Sequence, residues 1–345
     1  MQALIKSNEL TFKTFNYLKV NESIIEIPKL NKNELNKTSD KIEKETLEKF
    51  YENIYGELPE DILKLNKEYC NLFKVYQEGN KIINLNTSEF NNQLIDSHYI
   101  LAEKFESINI ILDYTSDEDN EKFRSSLIKI HAKDESKVNL FIIQDDYENQ
   151  ISLETIYAEI GENAVVNVNQ IELGSNKLYT YFQGDLKGKH SLLNIDSVYF
   201  GSGKNNIDML YNVFHHGIKS KSEIVVNGAL KDKAKKIFRS TLDFKKGSAQ
   251  SVGSEEEYTI LLDDSVSSLS VPVLLSHEDD VEGNHAASAG NIDRELLFYI
   301  MSRGFDEDRA KSLIVQSKFS GAINNIKDEK IKEKIWNKVF QRMGE

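Results

Sequence analysis

The residues of this 345-residue chain best able to hold a transition metal are one cysteine, Cys70, and seven histidines at positions 98, 131, 190, 215, 216, 277 and 285. Their spacing builds no familiar centre. No His-Glu-x-x-His pair places two imidazoles on one helical face, and no Cys/His array has zinc spacing. His215 and His216 are neighbours in a strand-like run, where successive side chains face opposite sides, so they are poorly placed to share an ion and a structural or surface role is expected. A Walker A phosphate loop and a Gly-x-Ser-x-Gly nucleophile elbow are both missing. Carboxylates such as Asp279 and Asp280 leave one enzymatic reading open, a β-helical polysaccharide lyase or hydrolase.

The elements that must position these groups fall into three regions: a helical N-terminal region over 1–71, a β core over 72–290 and a C-terminal helical domain over 291–345. Over about residues 38 to 56, Ile42, Leu47, Phe50, Tyr51 and Ile54 share one helical face. Asp40 and Glu43 resemble a capping box, and Gly56 suits the C′ position. Pro59 suits the start of a second helix that ends near Cys70. Beyond residue 72 the period changes to two, as in Val138-x-Leu140-x-Ile142 and Ile224-x-Val226. Strand-like runs recur every ten to fifteen residues, separated by turns such as Gly174-Ser175-Asn176, Gly201-Ser202-Gly203 and Lys245-Lys246-Gly247. A sandwich and a β-solenoid both fit; the number of short strands favours the solenoid, while Asn227-Gly228 is a hairpin signal that points the other way.

After Gly290, Leu296, Leu297, Ile300 and Met301 mark a helix that stops at Gly304. Asp306 is the expected N-cap of the next, with Ala310, Leu313 and Ile314 at helical spacing. A last helix carries an apolar stripe of Ile331, Ile335, Trp336, Val339, Phe340 and Met343, opposite Lys330, Lys334 and Lys338. The plain expectation for these helices is a cap over the open end of the solenoid.

A net charge of −13 argues against clamping nucleic acid, and the longest apolar runs, such as Leu296–Met301, are far too short to span a bilayer. Lys6, Glu9 and Lys13 interrupt any signal-peptide core, and a single cysteine fits a reducing compartment, so a cytoplasmic protein without nucleic acid or membrane partners is expected.

The stretch from Pro272 to Gly304 carries the most specific pattern in the chain. Pro272, Leu274, Asp280-Val281, His285, Ala287, Gly290, Asp293, Phe298-Tyr299 and Ser302-Arg303-Gly304 fall in register, without a gap, on the C-terminal signature of the SufB/SufD family of iron–sulfur cluster assembly proteins. The chain resembles that family strongly over about 272 to 320, more weakly through the β core, and again at Phe15-Asn16-Tyr17. It departs from the pattern at Ala286 and Ser288, which replace Gly and Thr, at Leu275, where an acidic residue is common, and at His277, on an otherwise apolar or aromatic strand position. The resemblance implies a mainly β fold, a right-handed parallel β-helix flanked by N-terminal and C-terminal helical regions.

The scaffold branch, SufB, carries a functional cysteine at the position of Ile300, so the chain looks most similar to SufD. Cluster iron prefers thiolates, which one remote cysteine cannot supply. What the resemblance implies is a non-catalytic subunit with SufB-like and SufC-like partners. ATP is handled only through the ABC-type ATPase SufC, and an iron–sulfur cluster is built transiently at the subunit interface. His285 is then the candidate ligand, although composition alone would make it a turn-packing histidine. Phe298, Tyr299, Arg303 and Trp336 are the interface or docking candidates. A SufB-like homodimeric scaffold paired with SufC is the alternative within the family.

Overall fold

The computed structural model describes residues 3–14, 16–32, 46, 50, 51 and 58–344. The helix expected over about 38 to 56 lies outside the described residues, except at three positions; of these Phe50 is buried edge-on against Phe73 and Tyr99. Phe15 of the aromatic N-terminal motif is likewise outside them.

From Leu72 onward the chain winds as a parallel solenoid with two strands per coil, and each strand pairs with the one before and the one after on its own side. One eight-stranded sheet runs β3 (Leu72–Tyr76), β5 (Gln93–Ala102), β7 (Lys122–Ala132), β9 (Gln150–Ile160), β11 (Lys177–Leu186), β13 (Asn206–His215), β15 (Lys235–Phe244) and β17 (Ser267–Ser276). The other runs β4 (Gly79–Asn86), β6 (Ser107–Thr115), β8 (Lys137–Asp145), β10 (Val165–Glu172), β12 (Leu192–Gly201), β14 (Lys221–Leu230), β16 (Ser251–Leu261) and β18 (Val281–Asn291). The period-two pattern selects this arrangement, because alternate residues of both sheets point into one shared interior. Ile110, Leu140, Val168, Ile195 and Ile224 are register partners in five successive strands, and all are buried.

The turns repeat with the strands. Phe105, Glu135, Asn163, His190, Lys219 and Gln250 each sit five residues before a member of that interior column or its continuation, all with φ between 53° and 68°. A left-handed residue at one fixed point reverses the chain in every coil, and His190 is simply one of the series.

Asn227-Gly228 is not a hairpin: both residues lie inside β14, paired with Val198 and Tyr199 on one side and Tyr258 and Thr259 on the other. The glycine is there for space. A Cβ at Gly228 would stand 1.9 Å from Cζ of the buried Tyr199 ring.

The ends of the chain cover the two outer faces. Helix α1 (Glu60–Tyr69) lies on the odd-numbered sheet with an antiparallel ladder of β1 (Ala3–Ser7) and β2 (Ser23–Ile27), which sequence patterning did not reveal. Buried Asn66 of α1 donates to the carbonyls of Asp96 and Ser125, and Asp208 accepts from Asn8, Ser23 and Arg239. Beyond the solenoid, α2 (Arg294–Met301), α3 (Glu307–Asn324) and α4 (Glu329–Met343) begin at Asp293, Asp306 and Asp328, whose side chains accept backbone N–H groups of the first turn.

Helices α3 and α4 do not cap the solenoid. Val315, Phe319, Ala322 and Ile323 of α3 and Ile331, Ile335, Val339 and Met343 of α4 pack on Ile143, Ile171, Val198 and Ala229 along the outer face of the even-numbered sheet. Each large apolar side chain buried there contributes about 1.5 to 3 kcal/mol. The flanking lysines secure the docking: Lys334 pairs with Asp113 at 2.7 Å and Lys338 with Asp145 at 2.8 Å.

Candidate functional site

With the helices on the face, the last coil is left uncovered. Among the described residues β17 pairs only with β15 and β18 only with β16, so each presents one edge of unpaired backbone N–H and C=O groups. Leu269 and Leu274 of β17 are exposed, although Leu274 continues the register of the buried Leu242. Side chains of this last coil, Leu274 among them, close the interior over the buried Glu255 and Phe244.

Histidine 285 stands on that coil. Its register partner is Glu255, whose own partner is Ile224, so His285 is the terminal member of a column that runs from the exposed Lys81 at the other end through Ile110. It is exposed, with no further coil above it among the described residues. Gly283 and Ala287 flank it on the same face of β18, and the space over Gly283 is taken by the Leu274 and Phe244 side chains.

One layer down, this column changes from apolar to polar. Glu255 is 1% exposed, accepts a hydrogen bond from the Ser240 hydroxyl at Oε2, and has no partner for Oε1 among the described residues. Burial pushes its carboxyl up to about 7, only partly offset by that hydroxyl. Glu257, two residues on and on the same face, is satisfied. It pairs with the Lys236 ammonium and accepts from Ser270 Oγ at 2.5 Å and Thr259 Oγ1 at 3.2 Å. The Tyr199 hydroxyl lies 2.6 Å from Thr259 Oγ1 and closes the network.

Glu255 and Glu257 escape sequence inspection because Glu255-Glu256-Glu257 reads as a charged surface run. The signal was the period of two combined with the 30-residue step: Glu256, between them, is exposed.

The other candidates lie outside this column. Helix α2 follows β18 almost directly, with Phe298 74% exposed and Tyr299 55% exposed. The Arg303 guanidinium lies 5.1 Å from the centre of the Tyr299 ring and donates to its hydroxyl at 3.1 Å. Trp336, by contrast, is half-buried on α4, stacked against Phe340 with ring centres 6.1 Å apart, and packs on the helix–sheet core. His277 lies in the turn just past β17 instead of on a strand, with Nε2 3.6 Å from Asp243. Asp279 and Asp280 occupy the same exposed turn.

Most of the remaining metal-binding side chains have structural partners, as His131 does in Glu159 at 3.5 Å. His98 is buried between Tyr76 and Asp96, at 2.8 and 2.6 Å. His215 faces the interior, bonded to Ser220 and Ser222 and held neutral by burial at a pKa of about 3, while His216 faces out. Burial raises the Cys70 thiol to about 11, which makes it a poor nucleophile at neutral pH. Among the described residues no group of three or more His, Cys, Asp or Glu side chains gathers in metal-binding geometry. A groove of about 820 Å³ on the even-numbered sheet is floored by a ladder of Asn80, Asn109, Asn139, Asn167 and Asn194 amides and contains no histidine or cysteine.

Comparison with known proteins bears on this arrangement. Residues 83–318 match the family model described as the SUF system FeS cluster assembly, SufBD core domain. The chain is 28% identical over 147 residues to the iron-sulfur cluster assembly protein SufD of Bacillus subtilis, covering 43% of this chain and 34% of that protein. It is 24% identical over 261 residues to SufD of Plasmodium berghei, covering 74% of this chain and 19% of the relative. An iron-sulfur cluster assembly SufBD family protein of Staphylococcus saprophyticus is 26% identical over 218 residues, covering 63% of this chain and 47% of its own length. The matches thus span less than half the length of each relative.

Proposed function

The chain belongs to the SufBD family of iron–sulfur cluster assembly proteins, and on that premise we propose that it acts as a SufD-like subunit of an assembly complex. Its partners in this reading are a SufB-like scaffold and a SufC-like ATPase, and its own role is non-catalytic and cytoplasmic. The observation that carries the reading is the uncovered terminal coil, where two unpaired strand edges flank His285 at the end of the interior column.

An open solenoid end exposes backbone groups that another strand can satisfy, so the edges of β17 and β18 pair with the scaffold and continue both sheets across the interface. His285 then faces the joint. A neutral imidazole offers a nitrogen lone pair to iron, and the partner supplies the thiolates that this chain lacks. The nascent cluster is cargo, held while both chains contribute ligands. ATP enters only through the ATPase, which docks on the C-terminal helices. Phe298, Tyr299 and Arg303 offer the exposed contact, and Trp336 supports it from within by holding α4 against the sheet.

Hydrogen exchange on the full chain tests the reading. Adding the SufB-like subunit should slow exchange in β17 and β18 and leave β3 and β4, at the other end of the solenoid, unchanged. Unaltered exchange in β17 and β18 within a stable complex would refute this interface.

A further inference from the structure

The polar layer beneath His285 has no structural need to be polar. In the coils below, the same column is filled by Ile110, Leu140, Val168, Ile195 and Ile224, and a sixth aliphatic residue would extend that packing at no desolvation cost. Instead the position is Glu255, with one carboxylate oxygen bonded to Ser240 and the other without a partner among the described residues. A buried, half-satisfied carboxylate one strand below an exposed imidazole is a donor pair in search of an acceptor.

We propose that His285 and Glu255 together form a binding site for a single divalent iron ion at the end of the solenoid. The proposal rests on the reading of His285 as an iron ligand and adds the residue that this reading omits. Register partners on adjacent parallel strands lie about 4.8 Å apart, a spacing from which an imidazole nitrogen and a carboxylate oxygen can converge on one ion. Mixed nitrogen and oxygen donors with open coordination positions are characteristic of mononuclear ferrous sites, whereas clusters are held mainly by thiolates. The site is therefore suited to receiving iron singly, before thiolates from a partner and sulfide enclose it. Glu257 is kept out of its coordination by the Lys236 ammonium.

Anaerobic titration of the full chain, without partners, tests this. Ferrous iron is followed by calorimetry, and cobalt(II), its spectroscopic substitute, by its visible d–d bands. The wild type and His277→Ala should bind one equivalent of metal. His285→Ala and Glu255→Gln should each weaken binding at least tenfold and alter the cobalt bands. Melting curves confirm that each variant is folded; if Glu255→Gln does not fold, Glu255→Asp, which withdraws the carboxylate by one methylene, takes its place with the same expected loss. Loss of binding in His285→Ala but wild-type affinity and bands in the Glu255 variant would overturn the role of Glu255 and leave His285 as a ligand. Wild-type affinity in both variants would overturn the site and the reading of His285 together.

Discussion

Replacing Gly228 by alanine should be among the most damaging single-methyl additions in the solenoid. A new Cβ would meet Tyr199 Cζ at 1.9 Å, Cε2 at 2.2 Å and the hydroxyl oxygen at 2.3 Å, where carbon contacts need about 3.5 Å. The ring cannot swing aside easily, because Tyr199 is fully buried and its hydroxyl is tied to Thr259 at 2.6 Å. Overpacking of this kind costs about 1 to 3 kcal/mol, and losing the buried hydrogen bond adds about 1 kcal/mol. The expected destabilisation is therefore about 3 kcal/mol, read as a fall in the urea midpoint by equilibrium unfolding. The double variant Gly228→Ala with Tyr199→Leu, which removes the three clashing atoms, should be less destabilised than the sum of the two single changes. Tolerance of alanine at position 228, or strict additivity in the double variant, would show that Tyr199 does not lie over this glycine and that the register of β12 and β14 is wrong.

Three further outcomes follow from the same structure. Glu172 is buried beside Glu154, and desolvation together with that neighbouring carboxylate raises its folded pKa well above the unfolded value of about 4.3. Its folded state therefore binds more protons, so the wild type loses stability as pH rises from the unfolded value toward the folded one. Glu172→Gln should match the wild type near pH 4 and be about 1 to 3 kcal/mol more stable at pH 8 by thermal unfolding; equal stability at both pH values would contradict this. Trp336→Ala should lower the melting temperature with little change in affinity for the ATPase, whereas a Phe298→Ala, Tyr299→Ala double variant should weaken that affinity at least tenfold and melt like the wild type, a pattern that calorimetry can reverse. On the reconstituted complex, His285→Ala should reduce cluster yield, measured by visible absorbance and iron content, while His277→Ala should not; equal yields would return His285 to a structural role.

Much of the architecture is legible in residue types. The period of two in Val138-Leu140-Ile142, the polar turns, and the aspartate at 306 locate strands, turns and a helix start, because each is a local physical preference. Register is not local. Asn227-Gly228 favours a hairpin in isolation, yet the glycine is set by Tyr199 of the preceding coil, about 30 residues away. An apolar stripe on α4 announces that one face is buried without saying against what, so the same pattern that suggests an end cap serves a helix lying along a sheet. His285 stands out through its motif. Glu255 has no motif and becomes visible only when the register places it in a column of aliphatic residues.

The central claim is that the uncovered coil carrying His285 is where this chain joins a different, SufB-like chain. Native mass spectrometry of the complex purified through a tag on this chain measures that directly. The account predicts an assembly containing this chain, a SufB-like chain and a SufC-like ATPase, and predicts that proline substitutions placed in the outer edge of β18 release the SufB-like chain while the folded monomer persists. An assembly holding neither partner, or a pair of copies of this chain that excludes the SufB-like chain, would contradict it.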